Sequence, residues 1–223
     1  MALDPLGRHE GDHSMPVPTP PHRHRVLVIG RSTGVLADTV ALLRGKGYTA
    51  DATNDFDRAL DDFDPATLDV VVFGGMVPPE TKQRLHEQVS ARNPDVVFVQ
   101  GFAGIPGLIA AQVEVAVGPR GSDADVEYEA ASRSIRLRLT RPGQASVVAW
   151  WGTAFVPPEP VSTSMTVFDA ELPAGSHTVP LPDEVPARAS FATVSVGSSV
   201  WAFIVAAMPA GTTLARFDDP ANS

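Results

Sequence analysis

Three glycine-rich turns are the segments of this sequence whose composition could support phosphate or nucleotide chemistry. The first follows the apolar run Val26–Ile29 and precedes residues with helical spacing. A turn of this kind at a helix N-terminus presents free backbone N–H groups to an anion. The other two turns, Gly74–Pro78 and Gly101–Gly107, also follow short apolar runs. The carboxyl ends of neighbouring parallel strands meet along one edge of a sheet, so we expect the three turns to line a single crevice.

The ligand-binding candidates are residues of these turns, together with two polar residues that follow the intervening strand. They are Gly30, Arg31, Ser32, Thr33, Gly34, Asn54, Asp55, Gly74, Gly75, Met76, Gly101 and Phe102.

Dinucleotide binding is one interpretation of the first turn. Gly30 and Gly34 fit the pattern G-x-x-x-G, but Leu36 stands where short-chain dehydrogenases have a third glycine. Asp51 or Asp55 lies at the spacing of a ribose-binding carboxylate, and Arg31 would favour a 2′-phosphate. The Tyr-x-x-x-Lys pair of those enzymes is missing, however. An NAD(P)-binding enzyme that uses this turn is therefore kept as the alternative function.

Close packing is a second interpretation, because glycines at strand ends often serve tight turns alone. In that case Val77–Pro79 and Ile105–Gly107 would stiffen their loops against a second domain.

Other catalytic chemistry has little support in the sequence. The absence of cysteine excludes disulfides, thiolate metal sites and cysteine nucleophiles. The motifs H-E-x-x-H, G-x-S-x-G and Walker A do not occur, and His177 is an isolated histidine in a strand-like segment. We therefore predict no catalytic residues, no metal site and no obligatory cofactor.

Composition describes a globular protein that binds neither nucleic acid nor membrane. Hydrophobic residues make up 43% of the 223 residues, and the mean hydropathy is +0.02. The net charge of −9 disfavours phosphate backbones as partners. No segment has the length of a membrane span or the pattern of a signal peptide, so the expected location is cytoplasmic.

The sequence divides into a disordered leader at 1–24, an α/β domain at 25–118, a β-rich domain at 119–212 and a tail at 213–223. In the α/β domain, strand and helix patterns alternate, which indicates a parallel sheet. Its last segment, 108–117, is compatible with a helix or a strand, and its valine alternation suits a strand. The second domain has seven short strands spaced about ten residues apart, which predicts an antiparallel β-sandwich of immunoglobulin-like architecture. The predicted fold class is therefore α/β plus all-β.

The closing hairpin of the second domain predicts an interface. Folding about Gly197–Ser199 places Phe191, Trp201, Phe203 and Val205 on one face. So much aromatic surface should be covered, with the first domain as the leading candidate and a second copy of the chain as the next.

Residues 25 to about 110 resemble the receiver domain of bacterial response regulators. The sharpest similarity is the segment Asp69–Pro78. In the family, the phosphoacceptor aspartate precedes a proline by four residues; here Gly74 replaces the aspartate and Pro78 matches the proline. The acidic pair that holds Mg²⁺ in the family corresponds to Gly30 and Arg31.

The resemblance implies a flavodoxin-like pseudo-receiver that cannot be phosphorylated in the usual way. The family's Ser/Thr at the end of the fourth strand falls on Gln100 or Gly101, and no lysine follows Lys82 to match the one in its fifth strand. The leading hypothesis is a non-enzymatic regulatory protein that binds a partner protein or small ligand at the glycine-rich rim.

Overall fold

The computed structural model describes residues 24–119, 124–156 and 159–205, which form an α/β part and an antiparallel part. The predicted tail lies outside the described residues, as do the leader up to residue 23 and the end of the second domain beyond Val205. None of the helices in the described ranges is long and apolar enough to cross a bilayer.

The α/β part is built on a four-stranded parallel sheet in the order β2-β1-β3-β4. The strands are β1 (Arg25–Ile29), β2 (Thr49–Thr53), β3 (Val70–Phe73) and β4 (Val97–Gln100). The helices are α1 (Thr33–Gly45), α2 (Ala59–Asp62), α3 (Pro79–Ser90) and α4 (Pro106–Val117), with one 3₁₀ turn at Pro65–Thr67. The predicted alternation of strands and helices is thus confirmed.

Helices cover both faces of this sheet, which explains why β3 is wholly apolar and buried. Side chains of α1 and α4 share one core with Val26, Val28, Val70 and Val72. On the other face, Ala59 of α2 and Leu85 and Val89 of α3 share a core with alternate residues of the same strands.

The segment 108–117, whose sequence is compatible with a helix or a strand, belongs to helix α4. Pro106 fits the first helical turn because its fixed φ and missing N–H cost nothing there. Ile109 and Val113 face the sheet, while Leu108 faces the antiparallel part. A helix enclosed on two sides is apolar nearly all round, and this masks its helical period.

The antiparallel part consists of two sheets that enclose one hydrophobic core. The strands are β5 (Ala124–Glu129), β6 (Ser134–Leu139), β7 (Gly143–Val156), β8 (Glu159–Leu172), β9 (Gly175–Pro180), β10 (Ser190–Val196) and β11 (Ser199–Ile204). One sheet has the order β11-β10-β7-β8 and the other β5-β6-β9. All seven predicted strands exist.

Two of these strands, β7 and β8, are 14 residues long and exceed the prediction at both ends. Strand β7 pairs with β10 only from Ala145 to Trp151. Beyond Trp151, β7 and β8 pair only with each other among the described residues. We call this two-stranded extension, residues 152–156 and 159–163, the arm.

The predicted register of the closing hairpin is wrong by one residue. Its turn has two residues, because Val196 pairs with Ser199 and Val194 with Trp201. A one-residue slip moves each side chain of a strand to the opposite face. Trp201, Phe203 and Val205 therefore pack on the core of the antiparallel part, and the four interface candidates do not share a face.

Candidate functional site

The three glycine-rich turns meet, as expected, and they enclose a cavity of about 230 Å³ at the carboxyl edge of the parallel sheet. Its rim is formed by Gly30, Arg31, Ser32, Gly74, Gly75, Met76, Gly101, Ala103 and Gly104. Its floor and walls are formed by the apolar residues Val28, Ile29, Val35, Leu36, Val72 and Ile109. Pro160 of the arm completes the lining, so both parts of the molecule contribute to the cavity.

The anion position at the start of α1 is occupied by the chain itself. Ser32 caps the helix, because its Oγ accepts a hydrogen bond of 3.2 Å from the backbone N–H of Val35. The Ser32 hydroxyl donates in turn to the carboxylate of Glu159, the first residue of β8 at the tip of the arm. A carboxylate is favoured at this end of a helix by the helix dipole. A Cβ atom at Gly34 would lie 3.0 Å from Glu159 Oε2, so the carboxylate lies close against the turn.

The backbone N–H groups at three strand ends are already paired. Gly30 N donates to Thr53 O at 3.1 Å, Gly74 N to Ile29 O at 2.8 Å, and Gly101 N to Phe73 O at 2.8 Å. A phosphate cradle needs such groups free, and these three are not.

Close packing accounts for several of the rim glycines, in agreement with the second interpretation. A Cβ atom at Gly30 would lie 3.3 Å from Leu36 Cδ2, and one at Gly101 would lie 3.3 Å from Ile109 Cγ1. At Gly74 it would lie 3.3 Å from the carbonyl oxygen of Ile29. Gly75, by contrast, has open space around it.

The remaining candidates, apart from Arg31, lie outside the cavity lining. Arg31 is on the rim, but its Nε donates to Met76 O at 3.2 Å and its guanidinium carbon lies 5.4 Å from the centre of the Phe56 ring. Asp55 Oδ1 accepts from the backbone N–H groups of Asp57 and Arg58, both at 3.2 Å. Thr33, Gly34, Asn54 and Phe102 also fall outside the lining.

Asp51 and Asp55, the candidates for a ribose-binding carboxylate, also form structural contacts. Asp51 forms an ion pair of 2.9 Å with Arg44, and Asp55 holds the turn before α2. No group of three or more acidic or histidine side chains in the described part of the chain is arranged to hold a metal ion.

A network of amide side chains fixes the third turn. Gln100 Nε2 donates to Phe73 O at 3.0 Å and to Gly101 O at 3.1 Å. Gln112 accepts from Phe102 N and donates to Gln100 O. Lys82 Nζ donates to Gln100 Oε1 at 2.9 Å, and partial burial lowers the pKa of Lys82.

A second contact between the two parts lies at the start of α4. The six-membered ring of Trp150 lies against Gly107, where a Cβ atom would be only 2.1 Å from Cη2 of the ring. Trp150 Nε1 donates to Thr193 Oγ1 at 2.9 Å, which fixes the ring. Phe191 and Ile204 pack with Ile105 and Leu108 around it. We call this cluster the Trp150 contact. The place where Glu159 and Pro160 pack on the rim is called the tip contact.

Of the four interface candidates, Phe191 lies in the Trp150 contact and is 2% exposed. The loop Ile105–Gly107 packs on the antiparallel part, as the close-packing interpretation expects. Val77 instead packs inside the α/β part against α3.

Sequence reasoning missed Glu159 and Pro160 as contributors to the rim, and it missed Trp150 as a contact between the two parts. Trp150 and Trp151 point to opposite faces, as adjacent strand residues must, and Trp151 packs on the antiparallel core. That Trp150 rather than Trp151 meets the α/β part depends on how the two parts dock. The arm had one signal in the sequence: strand-forming residues lie on both sides of the proline-rich segment 157–160.

Comparison with protein-family models gives no match, and comparison with curated proteins gives none either. Among solved structures, the chain is similar to a β-glucosidase from Erythrobacter marinus, at 9% identity and a TM-score of 0.31. The alignment covers 82% of this chain and 46% of that one, so the chain spans less than half the length of that protein. A likeness this slight carries no argument about fold or activity.

Proposed function

We propose that this chain is a non-enzymatic regulatory or interaction protein. It pairs a degenerate, receiver-like domain of flavodoxin-like architecture with a β-sandwich, and it binds a small ligand or partner at the rim. The strand order β2-β1-β3-β4 supports this proposal, because flavodoxin-like domains order their first four strands in the same way. A cytoplasmic location and a protein partner remain part of the proposal.

The main support for the proposal comes from the contacts of Ser32 and Gly74 at the rim. Receiver chemistry needs a carboxylate nucleophile on β3 and a carboxylate-bound Mg²⁺ beside it. Gly74 occupies the nucleophile position with the Ile29 carbonyl close by, and the carboxylate nearest the first turn, Glu159, is bonded to Ser32. Glu159 reaches the rim from the antiparallel part, where it acts as a bridge between the two parts.

Incubation with acetyl phosphate and Mg²⁺, followed by intact mass analysis, tests the loss of phosphotransfer. A phosphorylatable receiver treated in parallel serves as the positive control. We expect an adduct on the control protein and none on this chain. A stable acid-labile phosphoryl adduct on the α/β part would refute the proposal.

A thermal-shift panel of NAD, NADP, ATP and flavins tests the enzyme alternative. We expect no stabilisation, because the carboxylate of Glu159 repels a pyrophosphate at the same helix end. Each ligand shift is measured against the melting temperature of the same variant, for wild type, Gly34→Glu and Gly45→Glu. Gly45 has open space around it and serves as the matched control. A dinucleotide shift that Gly34→Glu abolishes and Gly45→Glu retains would favour the enzyme.

A further inference from the structure

We propose that the rim cavity binds an uncharged, largely apolar molecule of one or two rings. This inference rests on the ligand-binding element of the proposed function and narrows it to a chemical class.

The side chains that form the cavity are almost entirely apolar. Val28 and Ile109 are each 2% exposed and Val72 is fully buried, so the floor is a fixed part of the core. Apolar walls with few polar groups are typical of small-molecule sites. An apolar ligand would transfer its own apolar surface from water to these walls, and that transfer is the main source of binding free energy here.

Polar groups around the cavity have little left to offer a charged ligand. The strand-end N–H groups of Gly30, Gly74 and Gly101 donate to neighbouring carbonyls, and the Ser32 hydroxyl bonds to Glu159. Arg31 is itself part of the lining, but its Nε donates to Met76 O at 3.2 Å and its guanidinium lies over the Phe56 ring. A charged group that enters would lose its water without gaining equivalent partners, which is costly.

The negative charge of Glu159 disfavours anionic ligands in particular. Its carboxylate lies beside Gly34 and Ser32, at the edge of the cavity where α1 begins. A ligand carboxylate or phosphate at that edge would meet like charge in a partly desolvated setting. The ligand is therefore uncharged rather than anionic.

Volume sets the size of the ligand. An apolar cavity of about 150 Å³ is enough to hold benzene, and pockets for drug-sized ligands start at about 300 Å³. The 230 Å³ available lies between these limits and suits one or two rings. Because Pro160 is part of the lining, the ligand would contact both the α/β part and the arm.

Saturation-transfer NMR on the full chain tests the proposal with toluene and indole as probes and with benzoate and inorganic phosphate as charged comparisons. We expect saturation transfer to toluene and indole, mutual competition between them, and no displacement of either by benzoate or phosphate.

Two variants block the cavity, and each has a matched control. Val35→Phe enlarges a lining side chain, and Val115→Phe makes the same change at an exposed valine of α4. Gly75→Leu adds a side chain at the rim where nothing lies within 4 Å, and Gly143→Leu does so at an equally open position outside the lining. We expect the blocking variants to weaken probe binding about tenfold or more and the controls to leave it unchanged.

Three results would overturn the proposal: no binding of toluene or indole to wild type, binding that survives both blocking variants, or displacement of toluene by benzoate or phosphate. None of them bears on phosphotransfer, which the acetyl phosphate experiment measures separately. If the chain forms no adduct and binds no ring probe, the proposed loss of phosphotransfer stands and the proposal of an apolar ligand is refuted.

Discussion

Two of the contacts between the antiparallel part and the α/β part differ in chemistry. The Trp150 contact is apolar and tight, with Phe191 2% exposed and the indole ring against the backbone of Gly107. The tip contact consists of one proline and one carboxylate, and Glu159 remains partly exposed.

Because of this difference, we expect one contact to determine stability and the other to determine ligand selectivity. Burial of apolar surface is the larger stabilising term, so the Trp150 contact should hold the two parts together. A charge-assisted hydrogen bond contributes less net free energy, because water competes for both partners. The tip contact should therefore matter mainly for what can enter the rim.

The largest expected effect is at Phe191. Phe191→Ala removes a buried ring from the Trp150 contact and should lower the free energy of unfolding by about 3–5 kcal/mol. Urea denaturation followed by tryptophan fluorescence measures it. Phe168→Ala, at a half-buried ring in the antiparallel part, is the matched control and should cost less. Equal losses at the two sites would mean that the Trp150 contact adds nothing beyond ordinary packing.

Gly107 should show the next largest effect. Gly107→Ala places a Cβ atom against Trp150 and should cost about 1–3 kcal/mol, although alanine is favoured over glycine in a helix. The same change at Gly45, which has open surroundings in α1, should stabilise or leave the protein unchanged.

A Trp150→Ala background tests the cause of the Gly107 effect. With the ring removed, Gly107→Ala should become neutral or stabilising, since helix propensity alone then acts. A loss that persists without the ring would place its origin elsewhere in α4.

The two hairpins at the ends of the antiparallel part show what sequence alone could predict. For the first, folding about Ser132–Arg133 would pair Tyr128 with Leu137 and Glu129 with Arg136, but Tyr128 pairs with Ile135, so this expected register is wrong by two residues. A two-residue shift preserves the faces, so the Glu129–Arg136 ion pair still forms, at 2.9 Å. The closing hairpin is wrong by one residue, and the faces are exchanged. Turn length decides between these outcomes, and the residues of the two turns leave that length open.

The α/β elements could be predicted because each has its own local signals. Ser32 caps α1, Gly47 ends it with φ of +92°, and β3 reads as a buried strand. The contents of the rim could not be predicted, because Glu159 reaches Ser32 across 127 positions in the sequence. No local pattern records how a strand of one part docks on a turn of another.

The tip contact should have a small and salt-dependent effect on stability. Glu159→Gln keeps an acceptor for Ser32 but removes the charge, and should cost about 1 kcal/mol at low ionic strength. A double-mutant cycle with Ser32→Ala separates the coupling from the loss of the helix cap. Glu171→Gln, at an exposed position on β8, is the control. A coupling energy of zero would show that the two side chains act independently in solution.

The smallest expected effect compares neighbouring glycines on the rim. Gly75→Ala should change the free energy of unfolding by less than about 0.5 kcal/mol, because no atom lies within 4 Å of the new Cβ. Gly74→Ala should be destabilising by about 1 kcal/mol or more, since its Cβ atom would lie 3.3 Å from the Ile29 carbonyl and 3.4 Å from Gly30 Cα. Both measurements use the same denaturation assay. Equal tolerance at the two positions would mean that β1 can move away from β3 at the rim, and that the position proposed to correspond to the receiver phosphoacceptor is sterically open.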